Sequence, residues 1–141
     1  MIPADSHVTE PQVLVSALDA ELSTLVQVLD MLDIEHEALM GNDPERLEQA
    51  VAAKQNAIAA HLKSRCYRES LGLRDSLREQ LEAHPTLVNG LLERALNLVT
   101  ELNDLALQSK NMNARNGKLI AGLKERTNTS LKVLRPEAAN I

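Results

Sequence analysis

The residues best suited to chemistry in this 141-residue chain are a carboxylate and a histidine three positions apart, Asp33 and His36. On a helix this spacing places both side chains on one face, and repeated pairs with further carboxylates build dimetal centres in four-helix bundles. Here the pair occurs once, and His36 continues a line of leucines. We therefore predict a histidine packed in a helix seam, with no metal.

A second candidate is the single cysteine, Cys66, which follows His61 by five positions. Residues five apart lie on different faces of a helix, so we expect a buried or half-buried structural thiol. One cysteine cannot form an intramolecular disulfide, which fits a reducing compartment. Glycine-rich phosphate loops, nucleophile elbows and zinc-protease motifs do not occur in the sequence. The sequence predicts neither an enzyme nor a cofactor.

The composition favours long helices. Of the residues 44% are apolar, with 25 leucines, one tyrosine, and neither phenylalanine nor tryptophan. Aliphatic side chains suit helices packed along seams, whereas binding of single-stranded nucleic acid needs aromatic platforms. No apolar run approaches the roughly 18 residues that span a bilayer, and the N-terminus lacks the features of a signal peptide. We expect a cytoplasmic protein that neither inserts into membranes nor binds nucleic acid.

Charge is distributed unevenly along the chain. Residues 1–43 contain nine acidic residues and no Lys or Arg, whereas residues 110–141 contain seven basic and two acidic residues. Either an acidic helix packs beside basic ones, or a basic arm attracts an acidic external partner. We favour the first interpretation for the middle of the chain and leave both open for the C-terminus. The alternating charges of residues 63–82 should form a solvated face.

Turn and capping residues divide the chain into helices. Thr9 is suited to cap a first helix that ends near Gly41, and Asp43 with Pro44 begins a second. The short loop between them makes these helices antiparallel neighbours. We predict a short helix near residues 73–83 and a third long helix capped by Thr86. The predicted fold is all-α: an elongated antiparallel helical bundle or coiled coil of three long helices.

Heptad spacing of apolar residues runs through the first and third long helices. In the third helix the spacing continues beyond Leu105, but the seam turns polar and a second apolar stripe follows on a rotated face. A continuous helix over residues 87–134 would measure roughly 70 Å, against roughly 45 Å for the first. An apolar face that extends past its intramolecular partners usually binds another molecule.

The segment at this change of face, residues 111–120, has two interpretations. An asparagine at a core position can fix the register of a coiled coil at some cost in stability. Alternatively, the segment is a hinge and specificity element where the intramolecular seam gives way to the helix of a partner. The residue pattern alone does not decide between them, although it limits the change to residues 109–117.

The same segment carries a family pattern. It consists of Asn113-x-x-Asn116-Gly117-x-Leu119-Ile120 followed by Thr127-x-x-x-Leu131-x-Val133-Leu134-x-Pro136. This pattern resembles the C-terminal signature of the FlgN family of flagellar type III export chaperones. The resemblance implies a cytosolic chaperone that binds the C-terminal helical region of flagellar hook-associated proteins, prevents premature assembly and supports their export. The flagellar export gate and its ATPase would be further partners.

Site residues follow from the resemblance residue by residue. The implied cargo-binding residues are Asn113, Asn116, Ile120, Leu123, Thr127, Leu131 and Leu134, with the two asparagines shaping the entrance. The flanking basic residues are Lys118, Lys124, Arg126 and Lys132.

The expected organisation is a disordered N-terminus over residues 1–8, one helical domain over 9–135 and a short tail over 136–141. Within the domain, residues 109–135 form the cargo-binding segment. The alternative function is a coiled-coil adaptor or scaffold that acts by helix–helix oligomerisation.

Overall fold

The computed structural model describes the backbone of residues 10–134 and the side chains of residues 10–127. It contains four helices: α1 Pro11–Met40, α2 Pro44–Ser70, α3 Leu77–Ala83 and α4 Asn89–Leu134. No strand occurs within the described residues, and the all-α prediction is confirmed. The proposed Thr9 cap and the predicted terminal segments 1–8 and 136–141 lie outside them. Glu10 occupies the cap position of α1 without a side-chain hydrogen bond.

The corner between α1 and α2 forms through local hydrogen bonds. The Gly41 amide donates to the Glu37 carbonyl at 2.9 Å and closes α1. Asp43 has extended backbone, and its Oδ1 accepts a hydrogen bond from the Arg46 amide at 3.1 Å. Pro44 stands at the first helical position, where its missing N–H would have no partner in any case. The predicted cap of α2 is therefore confirmed.

α1 is the central helix of the fold. It packs against α2 and against α4, whereas no Cα atoms of α2 and α4 approach within 8 Å in the described part of the chain. Ion pairs from Glu21 to Arg68 and from Glu35 to Lys54 show that α2 runs antiparallel to α1. α4 runs parallel to α1, and it is continuous over its 46 residues, about 69 Å at 1.5 Å per residue. The helix does not break at Gly117.

The core is aliphatic and follows the predicted heptads. Helix α3 contributes Leu81 to this core, and the loops before and after α3 contribute Leu73 and Leu87. The main residues of α1 and α4 in this core are Leu14, Leu18, Leu25, Leu32, Ala95, Leu98 and Leu102. Each helix places one apolar face inward, which gives the core its stability through removal of apolar area from water.

The connection between α2 and α4 differs from its prediction. Helix α3 begins at Leu77 rather than near residue 73, because Ser76 has a φ of 55°, a left-handed conformation incompatible with a continuing helix. Thr86 does not cap α4: its hydroxyl lies 3.0 Å from Nδ1 of His84, and α4 begins at Asn89. Val88 consequently precedes the helix and is 54% exposed.

The prediction for Cys66 was wrong, because its side chain is exposed. α2 has α1 as its only packing neighbour among the described helices, so the opposite face of α2 stays uncovered. Leu62 on this helix is likewise 51% exposed.

α1 is more apolar than the sequence prediction allowed. By length and hydropathy alone it could cross a membrane, the one described helix of which this holds. Yet 44% of its most apolar 18-residue window is buried inside this fold. A helix with packing partners on two sides is expected to be this apolar, because two of its faces lie in a core. The hydropathy of α1 is thus explained by its central position.

Candidate functional site

Ion pairs join α1 to α2 along most of their length. In each of them an acidic residue of α1 meets a basic residue of α2. The three pairs in the described chain are Glu37–Arg46 at 3.6 Å, Glu35–Lys54 at 2.9 Å and Glu21–Arg68 at 2.6 Å. The interpretation that the acidic first helix packs beside a basic one is confirmed for the middle of the chain.

The Glu21–Arg68 pair lies in the interior. Arg68 donates from Nε to Oε1 of Glu21 at 2.6 Å and from Nη2 to Oε2 at 3.1 Å. Its Nη1 donates to the carbonyl of Leu73 at 2.7 Å, which attaches the loop after α2 to the bundle. The prediction of a solvated face over residues 63–82 missed this buried arginine. Its signal was present, since Arg68 lies eleven positions after Ala57, on the same buried face of α2.

A second polar cluster joins all three long helices and is called here the polar layer. It consists of Glu35 of α1, Lys54 of α2, and Asn113 and Asn116 of α4. Asn116 is fully buried, and its Nδ2 donates to the Leu32 carbonyl and to Oε1 of Glu35, both at 2.9 Å. Lys54 donates to Oδ1 of Asn113 at 3.3 Å. This last bond bridges α2 and α4, whose backbones do not touch in the described structure.

The carboxylate of Glu35 is fully buried at the centre of the polar layer. The Lys54 ammonium lies 2.9 Å from its Oε2 but outside hydrogen-bond geometry, so charge attraction alone holds that oxygen. Within the described residues, Asn116 therefore supplies the single hydrogen bond to this carboxylate. A buried charge is tolerated only with such partners.

Asn116 occupies a seam position between α4 and α1, as a register-fixing asparagine does. It is also the last buried residue of α4 up to residue 127, and the aliphatic core reaches no further than Met112 on this helix. The change from intramolecular seam to open surface therefore falls just after Asn116, at the end of the predicted zone 109–117. An asparagine thus stands at a core position, as the first interpretation requires, and an open surface follows it, as the second requires.

An open groove of about 680 Å³ follows the polar layer and is called here the end groove. Its lining residues are Leu39, Met40 and Asn42 at the α1–α2 corner and Leu119, Leu123, Arg126 and Thr127 on α4. Met40 is 66% exposed and adds an apolar side chain to the lining of this groove. The groove can accept apolar side chains of a ligand between two polar edges.

The predicted site residues fall into four groups. Leu123, Thr127 and the flanking Arg126 line the end groove, whereas Ile120 is half-buried nearby. Asn113 and Asn116 belong to the polar layer below the groove. Lys118 and Lys124 are exposed on α4. The side chains of Leu131, Lys132 and Leu134 lie outside the described residues.

The predicted set missed three apolar lining residues, Leu39, Met40 and Leu119. Leu119 lies three positions after Asn116 and continues the heptad of Leu98 and Leu105, a signal that was present in the sequence. Leu39 and Met40 end a different helix, and only the packing of α4 along α1 brings them to the groove.

The remaining candidates for chemistry stay apart. In the part of the chain that the structure describes, no three His, Cys, Asp or Glu side chains are placed to hold a metal ion. His36 is half-buried in the seam, and its Nδ1 has no hydrogen-bond partner among the described atoms. Asp33 is exposed.

Comparison with known proteins identifies the chain through its sequence. A protein-family model described as FlgN protein matches residues 10–140. No curated protein and no solved structure gives a significant match. The matched region contains all four helices, the polar layer and the end groove. FlgN proteins form a family of flagellar export chaperones, not of enzymes. Because the family model matches nearly the whole length of this chain, the chain belongs to the FlgN family.

Proposed function

We propose that the chain is a cytoplasmic chaperone that binds the C-terminal helical region of flagellar hook-associated proteins. Binding prevents premature assembly of this cargo and supports its type III export. The observation that carries the proposal is the end groove, an open apolar surface in the segment that bears the family signature.

The proposed ligand is an amphipathic helix. An isolated helix of this kind is marginally stable in water and exposes an apolar face. Placing that face along Leu119, Leu123 and Thr127 removes apolar area from water, worth about 25 cal/mol per Å². The proposed site continues along α4 to Leu131 and Leu134. From residue 119 to residue 134 this surface would extend roughly 22 Å, about four turns of a bound helix.

Basic residues provide the second part of the proposed recognition. Lys118, Lys124 and Arg126 are exposed on α4 beside the apolar stripe, and Lys132 follows in sequence. They would meet acidic residues on the flank of the cargo helix. Exposed charge pairs are screened by salt, so they would contribute mainly to association rate and orientation.

The test is a double substitution in the apolar stripe, Leu123→Asp with Leu131→Asp. Isothermal titration with the C-terminal segment of a hook-associated protein should show no binding, because two charges would have to be buried against the apolar face of the cargo. The matched control is Leu107→Asp, at a 61% exposed leucine of the same helix outside the groove. Circular dichroism should report unchanged helicity in both variants. Unaltered cargo affinity in the double variant would refute the site.

The proposed export partners, the export gate and its ATPase, would receive the loaded chaperone. Co-purification of hook-associated proteins with the full chain and with a chain lacking residues 117–141 tests the cargo assignment directly. Capture by the shortened chain at full yield would contradict it.

A second candidate function is a coiled-coil adaptor that oligomerises. The uncovered face of α2, with Ile58 at 37% and Leu62 at 51% exposure, favours it to a limited extent. Light scattering distinguishes the two functions. An adaptor shows a mass that rises with concentration and no preference for hook-associated proteins. The proposed chaperone shows a mass that does not change with concentration and a preference for hook-associated proteins.

A further inference from the structure

We propose that the polar layer sets the register of α4 on α1 and thereby aligns the two walls of the end groove. Asn116 and Glu35 are then positioning residues for cargo binding, although neither lines the groove. The link to cargo rests on the proposed function of the groove. The register itself is a property of this chain alone.

The apolar seam of α4 selects its register poorly. Leucines recur at heptad spacing on both sides of the polar layer, at Leu98 and Leu105 before it and at Leu119 after it. Displacement of α4 by one turn or one heptad would again bring aliphatic side chains against α1. Packing of similar aliphatic residues discriminates weakly between such registers, which is why coiled coils use single polar core residues for this purpose.

Asn116 distinguishes the observed register from its neighbours. One turn away on the same face of α4 stand Met112 and Ile120, and neither side chain can donate a hydrogen bond. In a displaced register Glu35 would keep the charge of Lys54 but lose its hydrogen bond from Asn116, while its carboxylate stayed buried. A buried carboxylate without a hydrogen-bond donor is strongly disfavoured. The layer therefore penalises a slip of four residues in either direction.

The groove depends on this register because its walls belong to the same two helices. Leu39 lies one turn after Glu35 on α1, and Leu119 lies one turn after Asn116 on α4. Their opposition across the end groove follows from the pairing of Asn116 with Glu35 below them. A slip of one turn, about 5.4 Å, would separate these walls.

The test compares a single and a double variant with a matched control. Asn116→Leu removes the donor, and Asn116→Leu with Glu35→Leu removes both groups and so avoids an unpaired buried carboxylate. Lys54 can extend to water in the double variant, since its side chain is already 15% exposed. The control is Asn97→Leu at an exposed position of α4.

Three measurements are made on each protein: its cargo affinity, its thermal stability and an α1–α4 distance. Nitroxide labels on Asp30→Cys and Ala106→Cys, both exposed, report the distance by pulsed electron resonance in a Cys66→Ser background. We expect one narrow distance distribution in the parent and the control. In both Asn116 variants the distribution should broaden or move by up to about 5 Å, one helical turn.

Cargo affinity should fall at least tenfold in both Asn116 variants, including the double variant whose thermal stability is restored. A purely structural role would instead restore affinity together with stability, which would overturn the proposal. An unchanged distance distribution would overturn it as well. The distance measurement uses no cargo, so failure of the proposed chaperone function would still leave the register decided.

Discussion

Replacing Arg68 by methionine should destabilise the fold more than replacing its partner Glu21 by methionine. Glu21 is only 5% exposed, and Arg68→Met removes the two hydrogen bonds that its carboxylate accepts. In Glu21→Met, Arg68 keeps its hydrogen bond to the carbonyl of Leu73. Arg68 also lies in the last turn of α2, from which its guanidinium can move toward water. The two halves of the ion pair are therefore unequal.

The expected magnitudes follow from burial. Breaking a buried pair and leaving one charge uncompensated costs about 3–5 kcal/mol, a large part of the about 5–15 kcal/mol that stabilises an ordinary domain. Loss of hydrogen bonding to a charged group, when the remaining ion can move to water, costs about 1.5–3 kcal/mol. The first range applies to Arg68→Met and the second to Glu21→Met. The double variant should recover most of the loss, because two methionines replace the pair without a buried charge.

Urea unfolding followed by circular dichroism measures all three free energies of unfolding. Arg65→Met, at an exposed arginine one turn earlier on α2, is the matched control and should change the free energy by less than about 0.5 kcal/mol. A larger loss of unfolding free energy in Glu21→Met than in Arg68→Met would refute the expected inequality. A loss in Arg68→Met no larger than that of the control would refute it as well.

Three further predictions concern stability, each measured by urea unfolding. Leu81→Ala should lose about 2–5 kcal/mol, since this leucine of α3 is 0% exposed and its removal leaves a cavity; a loss below 1 kcal/mol would show that α3 is not anchored there. Gly72→Ala should lose about 1–2 kcal/mol of stability, because the backbone φ of Gly72 is 92°. Gly117→Ala should gain about 1 kcal/mol, because Gly117 lies within a helix and an added Cβ there meets no atom within 4 Å. Equal effects of the two glycine changes would contradict this. Asp43→Ala should lose about 1 kcal/mol with the cap of α2, and Asp43→Asn should retain most of it.

The sequence predicted those parts of the fold best that depend on interactions between residues close together in the chain. The α1–α2 corner was predicted correctly because Asp43 and Pro44 act within one turn of their own helix. The start of α4 was predicted two residues too early, since the Thr86 hydroxyl bonds to His84 instead of capping the helix. The burial of Cys66 was predicted wrongly, because the sequence does not show how many helices pack against α2.

The candidate site shows the same division. Its position within residues 109–135 came from apolar spacing and the family pattern, and Leu123 and Thr127 do line the end groove. The opposite wall, Leu39 and Met40, belongs to a helix about eighty positions earlier in the chain. Its contribution could not be inferred without knowing that α4 runs parallel to α1.

By itself, then, the sequence determined the helices, their apolar faces, the acidic character of α1 and the family. These properties depend on residues within a few turns of one another and on charge. Tertiary structure decided which charges pair, that Asn116 meets the buried carboxylate of Glu35, and where the groove opens. The reason is that similar leucine heptads permit several pairings and registers of the helices. Only the simultaneous burial of these helices, with each interior charge satisfied, selects one of them.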